Sequence, residues 1–278
     1  MGINEAAARG FELEADAYDR GRPTYPEPAV AWLAGALGIG PGTTVVDLGA
    51  GTGKLTRLLA PLGAALTAVE PVAAMRARLV AALPAVRALD GTAESMPLPD
   101  GSVDAVTAAQ AFHWFDDERA LAEIQRVLRP GGRLGLVWNV RDESPGWPAE
   151  LSAIIETHAG DTPRHRHGRW RDVFAATTLF GPLHQHSFEH VQEGDRSMVL
   201  DRVGSISFVA ALAPAARQQV LAKVGGLLDR HPELRGRSTF ALPYRTDVYW
   251  TERRPTVPDQ WAVSGPGGRA PRAGGPPR

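Results

Sequence analysis

Short apolar runs alternate with amphipathic segments along the first half of the chain, and their rhythm predicts its architecture. TVVDL (44–48) and ALTAVE (65–70) read as strands, each followed by a segment of helical periodicity, KLTRLLAPL and VAAMRARLVAAL. VRALD and SVDAVTAAQ (102–110) read as two further strands, DDERALAEIQRVL (116–128) as a helix, and RLGLVWN (133–139), after the turn RPGG, as a strand. These strands are nearly continuous apolar runs, the pattern of strands buried on both faces. Strands alternating with helices of this length predict right-handed crossovers and a parallel sheet with helices on both sides. Asp116 is suited to cap its helix, with Asp117 and Glu118 at the positive end of the helix dipole. Ahead of the sheet, AVAWLAGAL forms a helix ended by Gly38, preceded by YDRGRPTYPEP, whose prolines forbid a continuous helix.

The pattern changes after residue 140. Residues 140 to 183 carry loops, a helix near PAELSAIIETH and the polar stretch TPRHRHGRW. HQHSFEHVQ (184–192) reads as a strand, RSMVLDRVGSISFVAAL and APAARQQVLAKVGGLLDRH as two helices, and FALPYRTDVYW (240–250) as a final strand. That last strand belongs to no strand–helix unit, so it is expected to join the sheet antiparallel. GPGGRAPRAGGPPR, at the end, uses four residue types and is expected to be disordered. The divisions are an N-terminal cap (1–40), a core (41–140), a substrate and lid region with the last strands (141–252), and a tail (253–278).

Composition narrows the chemistry. There is no cysteine among the 278 residues, which removes disulfides, thiol nucleophiles and Cys-ligated metal together. A formal charge of −1 leaves no electrostatic footprint for nucleic acid. Lys54 and Lys223 are the only lysines among the 30 basic residues, which reads as a coding bias and not as phosphate recognition. No apolar run is long enough to span a bilayer, and none at the N-terminus resembles a signal peptide. A cytoplasmic protein with no nucleic-acid or membrane partner is expected; the oligomeric state is not legible.

The turn VVDLGAGTGKLTRLL (45–59) carries the chemistry. A phosphate loop needs GxxxxGK followed by Ser or Thr, but Leu55 follows Lys54 and Leu48 stands where the first glycine belongs. Lys54 then reads as an exposed helix-start residue. A dinucleotide loop, GxGxxG, fits Gly49 and Gly51 but meets Lys54 at its third glycine. What does match is an acid followed by GxGxG, Asp47-Leu48-Gly49-Ala50-Gly51-Thr52-Gly53. The next strand ends in Glu70, a carboxylate suited to both hydroxyls of a ribose.

With YDRGRPTYP, VVDLGAGTGKLT, AVEP, GTAESMPLPDGSVDAVTAAQAFHWF and RVLRPGGRL, residues 18 to 139 resemble class I S-adenosylmethionine-dependent methyltransferases of the UbiE-like, type 11 small-molecule family. The resemblance implies a Rossmann-like, seven-stranded, mostly parallel sheet with one antiparallel strand, helices on both faces, an N-terminal helical cap and a helical lid inserted near the C-terminus. It implies S-adenosylmethionine as cofactor, with S-adenosylhomocysteine as product. Asp47, Gly49 and Gly51 would line its methionine and ribose portion, Glu70 the ribose, and Met75, Thr92 and Ala93 the adenine. Thr92 departs from the Asp common in relatives. Gln110 would face the methionine portion, with Tyr18 and Arg22 closing over its carboxylate.

His113 follows a strand end, where open α/β sheets place their active sites. It is the candidate general base for a small-molecule acceptor, with Tyr25 as relay. Phe112, Trp114, Trp138 and Tyr18 would supply a dry apolar wall, and Ser205 and Ser207 on the lid helix are candidate acceptor contacts. The acceptor readings are carbon methylation of an aromatic such as an indole in secondary metabolism, or carboxylate or hydroxyl methylation of a small acid. A non-catalytic protein that binds the cofactor or its product is a third. No metal is expected: the acidic run 116–118 reads as a helix start, and His165 and His167 as exposed loop residues.

Overall fold

A computed structural model describes residues 19–115, 117–143, 146–160, 162, 165 and 168–255. The strands are β1 (Thr44–Leu48), β2 (Ala65–Val69), β3 (Arg87–Leu89), β4 (Val103–Ala109), β5 (Leu128–Arg141), β6 (His184–Gly194) and β7 (Phe240–Glu252). They form one sheet in the order β3-β2-β1-β4-β5-β7-β6. Strands β1 to β5 pair in parallel, and β7 runs antiparallel between β5 and β6. The antiparallel strand is the one predicted from its lack of a strand–helix unit.

The helices are α1 (Glu27–Leu37), α2 (Thr56–Leu59), α3 (Ala73–Ala82), α4 (Asp117–Val127), α5 (Trp147–Glu156), α6 (Arg169–Ala176), α7 (Arg196–Gly204), α8 (Ser207–Ala210) and α9 (Pro214–Arg230). Side chains alternate along a strand, so β1 feeds two cores. Val46 and Leu48 join α4 and α6 in one apolar cluster, while Val45 joins α1 and α2 in another on the opposite face. Helix α4 buries Ala120, Leu121, Ile124 and Val127, one stripe at helical spacing; each large member contributes about 1.5–3 kcal/mol.

A third cluster belongs to the lid. Trp147, Leu151 and Ile155 of α5 pack against Val199 and Val203 of α7, Val220 and Val224 of α9, and Phe240, Leu242 and Tyr244 of β7. The lid therefore has its own core and is rooted in the sheet through the first half of β7.

Four elements differ from expectation. The KLTRLLAPL helix shortens to α2 and a 3-10 turn, because Pro61 lacks an N–H and Gly63 turns left-handed at φ 83°. The helix expected over 196–212 breaks at Ile206, which is extended (ψ 127°), giving α7 and α8. Helix α6 was not anticipated; its aromatic residues Trp170 and Phe174 are buried, but the flanking stretch is polar. Strand β5 begins at Leu128, taking the RPGG turn into an irregular register between Val103 and Ala105. Tyr18, Asp116, His167 and the tail beyond residue 255 lie outside the described residues. No helix among the described residues is long and apolar enough to cross a membrane.

Candidate active site

The glycine turn leaves β1 in a conformation few other residues adopt. Gly49, Gly51 and Gly53 have φ of 65°, 58° and 84°. The amide of Gly49 donates to Val69 O at 2.8 Å, which brings the ends of β1 and β2 together. A Cβ on Gly49 would stand 2.8 Å from that of Ala111, so the turn also lies tight against the segment after β4. A Cβ on Gly51 would meet nothing nearer than Met75 Sδ, at 4.0 Å. A Cβ would fill that cradle, and Met75, buried on α3, forms its far wall.

Two buried carboxylates frame the turn. Asp47 accepts from Thr56 Oγ1 at 2.6 Å and from Thr107 Oγ1 at 3.0 Å, which locks β1 to α2 and β4. Burial raises its carboxyl to about 6, although both hydroxyls favour the ionised form. Glu70 accepts the Gly51 amide on Oε2 and the Val72 amide on Oε1, both at 2.8 Å. Burial raises its pKa, opposed by those two amides and by Arg76. A carboxylate offers about four lone-pair sites, so each Glu70 oxygen can still accept a ligand hydroxyl. Thr92 bridges Ser95 through its backbone after β3, and Ala93 is buried in the core beside it.

The N-terminal segment straps this edge to the lid. Lys54 is mostly buried, contrary to the expected exposed helix start: Nζ donates to Asp19 O at 2.7 Å. Thr52 Oγ1 donates to Asp19 Oδ1 at 2.9 Å. On the lid side, Arg20 pairs with Asp201 at 2.7 Å and Arg22 Nη2 donates to Ser205 O at 3.0 Å. A Cβ on Gly21 would overlap the backbone of Asp201 and Arg202, so only glycine permits this approach. Asp19 and Gly21 were missed in the sequence, where nothing local marks their partners.

A cavity of about 360 Å³ opens between the carboxyl ends of β4 and β5 and the lid. Gln110, Trp114, Trp138, Arg22, His113 and Ser207 line it. Gln110 holds φ 57°, the one non-glycine with positive φ among the described residues; such strain clusters at functional sites. Its Nε2 donates to Asn139 O at 3.2 Å. His113 Nδ1 accepts the indole N–H of Trp138 at 3.2 Å.

Three candidates fall elsewhere. Phe112 is fully buried against Phe115 and Phe174, a core residue outside the lining. Tyr25 is buried in the cluster under α1 and is not part of the lining. Ser205 Oγ turns back to Arg202 O at 3.1 Å and does not face the cavity. His165, expected to be exposed, instead stacks 4.6 Å from Trp138 and 5.4 Å from Trp170, within the lining. Burial lowers its pKa to about 4, so the ring is neutral at pH 7.

Comparison with known proteins bears on the same edge. Residues 46–136 match the family described as "Methyltransferase domain". Over 236 residues the chain is 45% identical to Rv3342 of Mycobacterium tuberculosis, described as an uncharacterized methyltransferase, covering 85% of this chain and 92% of the relative. The protein is an S-adenosylmethionine-dependent methyltransferase of the type 11 family. A methyltransferase-like protein of Schizosaccharomyces pombe, C25B8.10, is 32% identical to this methyltransferase, over 88% of this chain and 96% of that one. The fold is that of the YcgJ protein from Bacillus subtilis, with TM-score 0.56 at 20% identity, covering 83% of this methyltransferase and all of that chain. The Gly51 cradle and the spare lone pairs of Glu70 suit the cofactor's ribose.

Proposed function

We propose that this methyltransferase methylates a small-molecule acceptor lodged in the cavity at the ends of β4 and β5, at an oxygen of a small acid already ionised at neutral pH. Glu70, Gly49 and Gly51 hold the cofactor's ribose side, Met75, Thr92 and Ala93 its adenine, and Gln110, Arg22 and Tyr18 its methionine end. S-adenosylmethionine supplies a methyl group on a positively charged sulfur. The cavity is at the lower end of the range for small-ligand sites, which favours a metabolite over a macromolecule.

The observation that carries the acid is the bond between Trp138 and His113. An indole N–H only donates, so Nδ1 of His113 must accept, and the neutral ring then keeps its own proton on Nε2. Acting as a base would require protonating Nδ1 and breaking the Trp138 bond. His113 is instead a hydrogen-bond donor that orients the acceptor. A carboxylate needs no base, and holding it at near-attack distance contributes about 7 kcal/mol or more. Trp114 and Trp138 exclude water beside it, and Ser207 offers a further polar contact. Tyr25, outside the lining, keeps no relay role.

The second reading, carbon methylation of a flat aromatic such as an indole, draws on the wall made by Trp114, Trp138 and His165. It needs a base that the His113 geometry does not offer. Turnover of methyl-labelled cofactor over matched panels of small carboxylic acids and indoles separates the two. Turnover of acids to alkali-labile methyl esters is expected, with His113→Gln, which keeps a donor, within about tenfold of the native rate. Label found only in alkali-stable indole products, with His113→Gln as dead as His113→Ala, would restore the base.

A further inference from the structure

Two arginines in the cavity are more deeply buried than the orientation of one acceptor oxygen by His113 explains. Arg141 ends β5, where Nε donates to Ser152 Oγ of α5 at 2.9 Å. Arg202 lies on α7, 8% exposed, and its Nε donates to Tyr244 OH at 3.1 Å. Both line the cavity. Arg202 Nη1 is buried and has no hydrogen-bond partner among the described residues. An unpaired buried guanidinium N–H is costly, and an anion in the cavity is the natural partner.

Register fixes where this pair sits. Arg141 pairs with Tyr244 across β5 and β7, and Asn139, which holds Gln110, pairs with Thr246. Two residues along a strand are about 7 Å, so the backbone of Arg141 stands about that far from Asn139, and Arg202 reaches the same end of the cavity through Tyr244 OH. The lining also holds Arg22, Glu143 and Glu156. Glu143 is 3.7 Å from Arg141 and half exposed, so it competes weakly. With His165 neutral and Arg22 at the cofactor's methionine end, Arg141 and Arg202 stand against Glu143 and Glu156 in the lining, so the pair suits a singly charged carboxylate group better than a dianionic phosphate. Burial and then repulsion from Arg202 lower the Arg141 pKa to about 10, a strain that a bound anion relieves.

We propose that Arg141 and Arg202 form an anion subsite that anchors one carboxylate of the acceptor between core and lid, so that the acceptor carries a second acidic group besides the oxygen that is methylated. A carboxylate clamped by two guanidiniums has its lone pairs engaged and is a poor nucleophile, so anchored and reacting groups are distinct. The inference rests on the small-acid reading above.

The test uses the full chain, labelled cofactor and linear dicarboxylic acids of four to eight carbons, beside their monoamides and phosphonate counterparts. At least one diacid should be methylated with kcat/KM tenfold or more above its monoamide and its phosphonate. Arg202→Met and Arg141→Gln should each raise its KM tenfold or more, Arg202→Lys less, while S-adenosylhomocysteine affinity stays within twofold and so reports intact folding. Monoamides or phosphonates as good as the diacids, an unchanged KM in variants that bind S-adenosylhomocysteine, or no diacid methylated by a native chain that binds it would overturn the subsite. Failure of the underlying reading looks different: label in alkali-stable indole products, or no S-adenosylhomocysteine bound at all.

Discussion

The ribose side of the cofactor edge draws on one turn and the next strand end, residues 45 to 75, whereas the cavity proposed for the acceptor gathers residues from Arg22 to Phe208. The first is made by backbone: left-handed glycines, and a carboxylate that accepts two main-chain amides. The second is made by side chains from distant parts of the chain, which the lid, with its own core, brings together. Cofactor binding is thus expected to depend on local geometry, and acceptor binding on how the lid is seated.

Glu70→Ala should have the largest effect. It leaves the amides of Gly51 and Val72 without acceptors, at about 1–3 kcal/mol each, and removes the ribose contact. Urea unfolding should show that loss, and S-adenosylhomocysteine affinity should fall a hundredfold or more. Gly21→Ala comes next and strikes the other region. Its Cβ pushes against α7 at Arg202, so acceptor turnover should fall tenfold or more and protease cleavage within 196–230 should quicken, with S-adenosylhomocysteine binding reduced only a few-fold. Equal damage to both ligands would erase the distinction between the regions.

The two regions also respond to pH with opposite sign. Asp47 is raised from 3.8 to about 6, so the folded state holds its proton more tightly and stability falls as pH rises through that window. His165 is lowered from 6.5 to about 4, so stability falls as pH drops from 6.5 to 4. Between pH 4 and 6 the slopes oppose each other. Asp47→Asn should remove the falling component, about 3 kcal/mol over the window, and His165→Phe the rising one. Denaturant titrations of both variants against the native chain check this; a variant whose pH profile parallels the native one contradicts that assignment. Lys54→Met should have the smallest effect. It breaks a partly exposed pair with Asp19, at about 1 kcal/mol or less, and should weaken S-adenosylhomocysteine binding no more than threefold.

The same contrast decides what was legible in the sequence. Asp47, the three glycines and Glu70 follow one another at spacings set by a strand, a turn and the next strand, so the sequence displays their geometry. Strand alternation likewise revealed a two-faced sheet, and the odd strand at 240–250 revealed its antiparallel member. Phe112 misled because both core and cavity take aromatic residues, and the direction of a side chain on a 3-10 turn depends on neighbours such as Phe174. Lys54 misled because its partner, Asp19, lies in a proline-broken segment with no periodicity. His165 looked solvated in a polar stretch, yet Trp138 and Trp170 cover it from β5 and α6. Arg141 and Arg202 were two among many arginines until Tyr244 of β7 met both, one as its ladder partner and one through its hydroxyl.

The most direct measurement is calorimetric titration of S-adenosylhomocysteine into the native chain, Glu70→Ala and Arg202→Met side by side. One site should appear in the native chain, persist within twofold in Arg202→Met, and vanish in Glu70→Ala. No binding to the native chain, or equal loss in both variants, would contradict a cofactor edge that stands apart from the lid.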